Sequence, residues 1–138
     1  MRRFLTLLFI SGPTILFAQF GVSFHQSNLP FIGVSYEIAD RIRPELRLGA
    51  DRYLEDMSLE GVVVGDILNK EDYELYLGIG VRGGGEFEGF EIPLGINIYP
   101  LPIKNFGFHI EVTPIIGDDS ILRGSWGIRY RFGAMSNE

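Results

Sequence analysis

Apolar and polar residues alternate strictly along Ser125–Phe132. Trp126, Ile128, Tyr130 and Phe132 share one face, and Ser125, Gly127, Arg129 and Arg131 the other, because successive strand side chains point oppositely. The same period of two recurs between turn-prone breaks and predicts eight strands, at about 19–26, 31–39, 44–54, 59–68, 72–82, 88–99, 106–115 and 121–132. The breaks are Asn28-Leu29-Pro30, Asp40-Arg41, Asn69-Lys70, Gly83-Gly84-Gly85, Pro100-Leu101-Pro102 and Gly117-Asp118-Asp119-Ser120. In the fifth strand Tyr73, Leu75, Leu77, Ile79 and Val81 oppose Glu74, Tyr76, Gly78, Gly80 and Arg82. In the sixth, Phe90, Ile92, Leu94, Ile96 and Ile98 oppose Glu91, Pro93, Gly95, Asn97 and Tyr99. The fourth leaves its register open, since Val62, Val63 and Val64 are consecutive. After the first eighteen residues no window has a period of 3.6, so the fold class is all-β.

Alternation does not say which face points inward. A soluble lipocalin-like barrel or a sandwich would bury the apolar face, around Leu75, Leu77, Ile92, Leu94 and Ile96, and could hold an apolar ligand there. The glycines favour the reverse. Gly21, Gly33, Gly49, Gly78, Gly80, Gly95, Gly107 and Gly127 all lie on the polar face. Glycine weakens a strand interior, and it is best accounted for where neighbouring large side chains need room inside a narrow barrel. Charges on that face nearly balance: Glu37, Glu45, Asp51, Glu74, Glu91 and Glu111 against Arg47, Arg82, Arg123, Arg129 and Arg131, with His109 among them. Enclosed charges require such pairing. The expectation is an eight-stranded antiparallel up-and-down transmembrane β-barrel, apolar outside and ionic within.

The amino end fits that expectation. Met1-Arg2-Arg3 is basic, Phe4–Phe17 carries no charge, and Ala18-Gln19 offers a cleavage point, the layout of a secretory signal peptide at 1–18. The apolar run is too short for a membrane-spanning helix, which needs roughly twenty residues. Residues 19–138 then form one barrel domain with 10 basic and 18 acidic side chains, a balance unsuited to nucleic acid. The absence of cysteine excludes disulfides and cysteine metal sites. Aromatics near strand ends, namely Phe20, Tyr36, Tyr53, Tyr73, Phe90, Tyr99, Phe106, Trp126 and Phe132, read as interfacial girdles.

On these residues the chain resembles the small outer-membrane β-barrels of Gram-negative envelopes, of the eight-stranded OmpA or outer-membrane-protein-X type. Ser125, Gly127, Tyr130 and Phe132 match that family's carboxy-terminal assembly signal, which the resemblance implies is read by the barrel assembly machinery. Here Gly133–Glu138 follow the final aromatic, whereas the family often ends on it. The resemblance also implies both termini in the periplasm and outward connections 1–2, 3–4, 5–6 and 7–8. All four are short, and the longest, Arg82–Gly89, carries Phe87 between Glu86 and Glu88. A monomer in the cell outer membrane is expected, touching membrane lipid and lipopolysaccharide, with a structural or surface-interaction role and a closed lumen.

Catalytic candidates are few. His25 and Ser27 share a strand face, a pair similar to that of lipid A deacylase barrels, in which histidine activates serine for acyl transfer. An outer-membrane lipid A acyl hydrolase is therefore an alternative, although no carboxylate partner is assignable. His109 and Glu111 lack the further ligands a metal needs. Asp118-Asp119-Ser120 reads as a solvated turn, and Gly83-Gly84-Gly85 lacks the lysine of a phosphate loop. No enzyme activity and no cofactor are expected.

Overall fold

The computed structural model describes residues 20–38, 41–50, 56–85, 87–102 and 105–132. The expected signal peptide, Asp51, Tyr53 and the tail after Phe132 lie outside them. Nine strand segments follow in order: β1 (Phe20–Ser27), β2 (Phe31–Tyr36), β3 (Ile42–Ala50), β4 (Met57–Asn69), β5 (Tyr73–Gly83), β6 (Gly89–Glu91), β7 (Leu94–Ile98), β8 (Phe106–Ile116) and β9 (Ile121–Arg131). All pairings are antiparallel, and β1 with β9 closes the ring. β6 and β7 are halves of one stave, since both pair with β5 on one side and β8 on the other. Pro93 has no N–H to donate and interrupts the ladder there. The Pro93 carbonyl still accepts from Gly78 N–H at 2.8 Å. The result is a closed eight-stranded barrel.

Its geometry follows from the register. A path across neighbouring strands runs Gly21, Ser35, Glu45, Val62, Gly80, Glu91, Ile115, Ile121. Gly21 itself pairs with Arg131, ten residues from Ile121 along β9. Eight staves with that stagger tilt by roughly 35–45° and enclose a bore that side chains just fill.

The two faces are inverted relative to a water-soluble domain. Ile79, Phe90 and Trp126 are 71%, 70% and 65% exposed, whereas Glu60, Glu91 and Arg123 are 0% exposed. Leu77, Leu94 and Ile110 point outward, so the interior has no apolar ligand chamber built from them. The eight polar-face glycines point inward, and two of them show why. A Cβ on Gly95 would collide with the Tyr76 ring, and one on Gly107 would lie 2.7 Å from the Tyr99 ring. Glycine on one strand makes room for tyrosine on its neighbour.

Three expectations change. β2 ends at Tyr36, three residues early, because Ile38 instead bridges Ile42 to tighten the next turn. β4 acquires a register: Ser58, Glu60, Val62 and Val64 face in, Gly61 and Val63 face out, and the pairing slips between Asp66 and Leu68. Among the described residues the aromatic ring contacts concentrate at one end. At the end where β1 begins and β9 ends, Phe20 meets Tyr36 with ring centroids 5.1 Å apart, Phe106 meets Phe108 at 5.4 Å, and Tyr130 meets Phe132 at 5.2 Å. Tyr99 leaves the belt and is buried in the bore, and Trp126 sits mid-strand.

A Cβ at Gly127 would strike the Phe24 carbonyl of β1 across the closing seam, whereas one at Gly61 meets nothing within 4 Å. Gly127→Val should therefore abolish the compact band of the unboiled protein on a gel, while Gly61→Val should keep it.

Candidate functional site

Alternation delivers the inward residues and the stagger stacks them, so the bore contains three tiers of charge. The middle tier centres on Arg47 of β3. Its guanidinium donates two parallel bonds to Glu111 of β8, both 2.8 Å, and its Nε donates to Glu45 at 2.8 Å. Tyr76 and Thr113 hydroxyls also donate to Glu111, at 2.6 and 2.7 Å, and Arg43 lies 3.6 Å from Glu45. Glu111 thus accepts four bonds, the satisfaction a buried carboxylate requires.

The tier away from the termini joins Arg82, Glu60, Arg123 and Glu91. Arg82 reaches Glu60 at 3.1 Å, Arg123 pairs closely with the same Glu60 oxygen, and its other nitrogen lies 3.4 Å from Glu91. Arg82 Nε also donates to the Phe87 carbonyl at 2.8 Å, which ties the β5–β6 connection to the bore. The tier at the terminal end joins Arg131 to Glu74 at 3.1 Å and Glu37 at 3.7 Å. Asn97 and Tyr99 each donate to Glu74 at 3.1 Å. Arg129 is buried, and its Nε has no hydrogen-bond partner among the described residues.

Aromatic rings separate the tiers. Phe31 lies under two guanidiniums, Arg123 at 4.2 Å and Arg47 at 4.7 Å, with His25 stacked on it at 3.9 Å. Arg131 lies 4.0 Å from the Tyr99 ring. A ring face attracts a cation without needing a hydrogen-bond partner, so Phe31 holds two like charges close together.

These side chains fill the bore. Arg47, Tyr76, Glu111 and His109, with Glu60, Glu91 and Arg123 beyond them, are each less than 2% exposed or at 2%. At the middle tier and the tier beyond it, the described side chains leave almost none of their surface accessible.

The structure places Glu45, Arg47, Glu74, Arg82, Glu91, His109, Glu111, Arg123 and Arg129 inside the bore, with Glu37 and Arg131 half-buried at its mouth. Sequence reading missed Arg43, Glu60 and Phe31; it put Tyr76 and Tyr99 on the polar face without counting them in the charged network. Arg43 shares the parity of Glu45 and Arg47 but lies before Pro44, where the strand was expected to begin. Glu60 was hidden by the valine triplet.

The histidine–serine pair of the alternative hydrolase reading, His25 with Ser27, shows no bond between its two members. His25 Nδ1 lies 3.4 Å from Ser125 Oγ and Nε2 3.1 Å from Ser23 Oγ, while Ser27 Oγ accepts the Leu29 N–H at 2.8 Å. His25 packs at 3.8 Å on His109, whose two ring nitrogens have no hydrogen-bond partner among the described residues. Carboxylate oxygens of Glu37, Asp66 and Glu74 lie within 4.8 Å of one another at the terminal mouth. Arg131 pairs with two of these three acids and supplies positive charge there.

No protein-family description and no curated protein sequence matches the chain. Among solved structures it is similar to the N-terminal β-barrel domain of Pseudomonas aeruginosa OprF, with TM-score 0.67 and 12% identity over 82% of this chain and 95% of that one. It is also similar to a chain from the de novo design of transmembrane β-barrels, with TM-score 0.62 and 15% identity over 81% and 92%. A third likeness is the designed barrel TMB2.3, at 0.61 and 14% over 81% and 90%. At such identities the shared property is the fold.

Removing Arg47 alone would leave Glu111 and Glu45 buried without their main cation. Arg47→Met should cost about 3–5 kcal/mol of unfolding free energy. Adding Glu111→Leu should recover much of the loss, as urea unfolding in micelles would measure.

Proposed function

We propose that the chain is an integral outer-membrane barrel with a sealed, charged interior, acting structurally or through its surface and not as a catalyst or open pore. One observation carries this reading: fully buried arginine–glutamate tiers inside a wall whose outer face is Leu, Ile, Val and Phe. In water that arrangement exposes apolar surface all round and buries charge; in a bilayer it satisfies both. The terminal belt of Phe20, Tyr36, Tyr73, Phe106, Tyr130 and Phe132 suits a membrane–water interface. Likeness to OprF's barrel and to designed transmembrane barrels supports the same address.

Residues 1–18 serve as the export signal in this reading. Ser125, Gly127, Tyr130 and Phe132 present the assembly signal, with the first two facing inward and the last two outward. The partners are then the assembly machinery during insertion, and outer-membrane lipid with lipopolysaccharide afterwards. The protein is monomeric in this reading.

Envelope fractionation should leave the chain in the membrane pellet, with a gel mobility that shifts on boiling; recovery in a detergent-free soluble fraction would overturn the reading. In planar bilayers the protein should give no stable large conductance steps. Ile79→Arg, on the outer face of mid-β5, should destabilise the lipid-inserted barrel by about 2–4 kcal/mol, the cost of a cation near the bilayer midplane.

A further inference from the structure

The barrel rim is not level. β1 makes its last pair with β9 at Ser27–Ser125 and then turns through Asn28–Pro30 into β2. β9 continues four residues further, and Ile121, Leu122, Arg123 and Gly124 pair only with β8. Their other edge faces the gap above the short turn.

The hydrogen-bond parity shows which groups face that gap. In an antiparallel ladder the N–H and C=O of one residue point to the same side, and successive residues alternate. Ile92 N–H donates to the Pro114 carbonyl at 3.2 Å, so Pro114 faces away from β9. Its partner Leu122 therefore faces away from β8. The opposite end of the strand agrees: Phe132 N–H donates to the Phe20 carbonyl of β1 at 2.8 Å, so the even-numbered residues point towards β1. Leu122 and Gly124 thus present two N–H and two C=O groups to the gap, and among the described residues none bonds across it. On the other flank of the same turn the edge is closed, since Ala50 N–H donates to the Pro30 carbonyl at 3.0 Å.

The surroundings are acidic. Asp118 and Asp119 are exposed directly before β9, and Asp56 and Glu88 are exposed on the same rim. The described residues of the four connections at this end carry no basic side chain. Arg123, between the two edge residues, turns inward and pairs with Glu60 and Glu91. Outward, Leu122 is 63% exposed.

An unpaired strand edge is a template for another strand. We infer that Leu122–Gly124 is a docking edge for an extended cationic peptide segment with alternating apolar residues, which adds as a short strand beside β9. Its backbone takes up the four free groups, its apolar residues lie beside Leu122, and its cations face the aspartates.

The test uses the full chain folded in detergent micelles and an eight-residue peptide alternating lysine and valine. Binding is followed by isotope-edited NMR of the Leu122 and Gly124 amides and by calorimetry. The lysine peptide should shift both amides and weaken with added salt, and a glutamate–valine peptide should not bind. Leu122→Pro removes one edge N–H without touching the β8 ladder, and should lower affinity about three- to tenfold. Asp118→Asn with Asp119→Asn should reduce the salt dependence. Equal binding of both peptides, shifts confined to other residues, or unchanged affinity in the proline variant would overturn the proposal. So would edge amides already protected from exchange without peptide, which would mean another segment of the chain covers them. A heat-shifting gel band confirms that each variant is folded.

Discussion

Pairing of enclosed charge is the constraint on which the rest of this barrel depends. A guanidinium or carboxylate removed from water costs several kcal/mol unless opposite charge and hydrogen bonds replace the solvent. Here the replacement comes from strands distant in sequence: Arg47 is matched by Glu111, 64 residues away, and Arg123 by Glu60, 63 residues away. Those pairs exist only when the ring is closed. Closure and charge satisfaction are therefore one event, and a partly closed barrel would leave several ions uncompensated.

The glycines and the aromatic rings serve that closure. A narrow bore cannot hold a large side chain at every inward position, so Gly95 faces Tyr76 and Gly107 faces Tyr99. Phe31 adds what no hydrogen bond supplies, an apolar surface on which two arginines lie side by side. Among the described residues the bore is thus filled by side chains of its own wall.

The rims differ. One gathers aromatic rings where β1 begins and β9 ends; the other carries exposed acids and a strand edge left open by the early end of β1. In the short β1–β2 turn Leu29 is buried and the Pro30 carbonyl accepts the Ala50 N–H of β3. The unequal rim is thus a matter of register, since β1 stops pairing at Ser27–Ser125 while β9 goes on pairing with β8 to Ile121.

Period-two alternation by itself determined the strand count and the division of most residues between two faces, because side-chain direction in a strand depends only on local parity; it needed the glycines and the near balance of charge on one face to choose that face as the inner one. It failed where parity was locally ambiguous or masked: at the Val62–Val64 run, which hid Glu60, and before Pro44, which hid Arg43. Tyr99 is the case where two sequence signals disagree: its parity put it on the polar face, its place near a strand end put it in the belt, and the bore takes it. Only the tertiary structure decided the ten-residue stagger, which carboxylate meets which arginine, and where β9 outruns β1. Those are relations between strands, set by register and ring closure, and no single segment contains them.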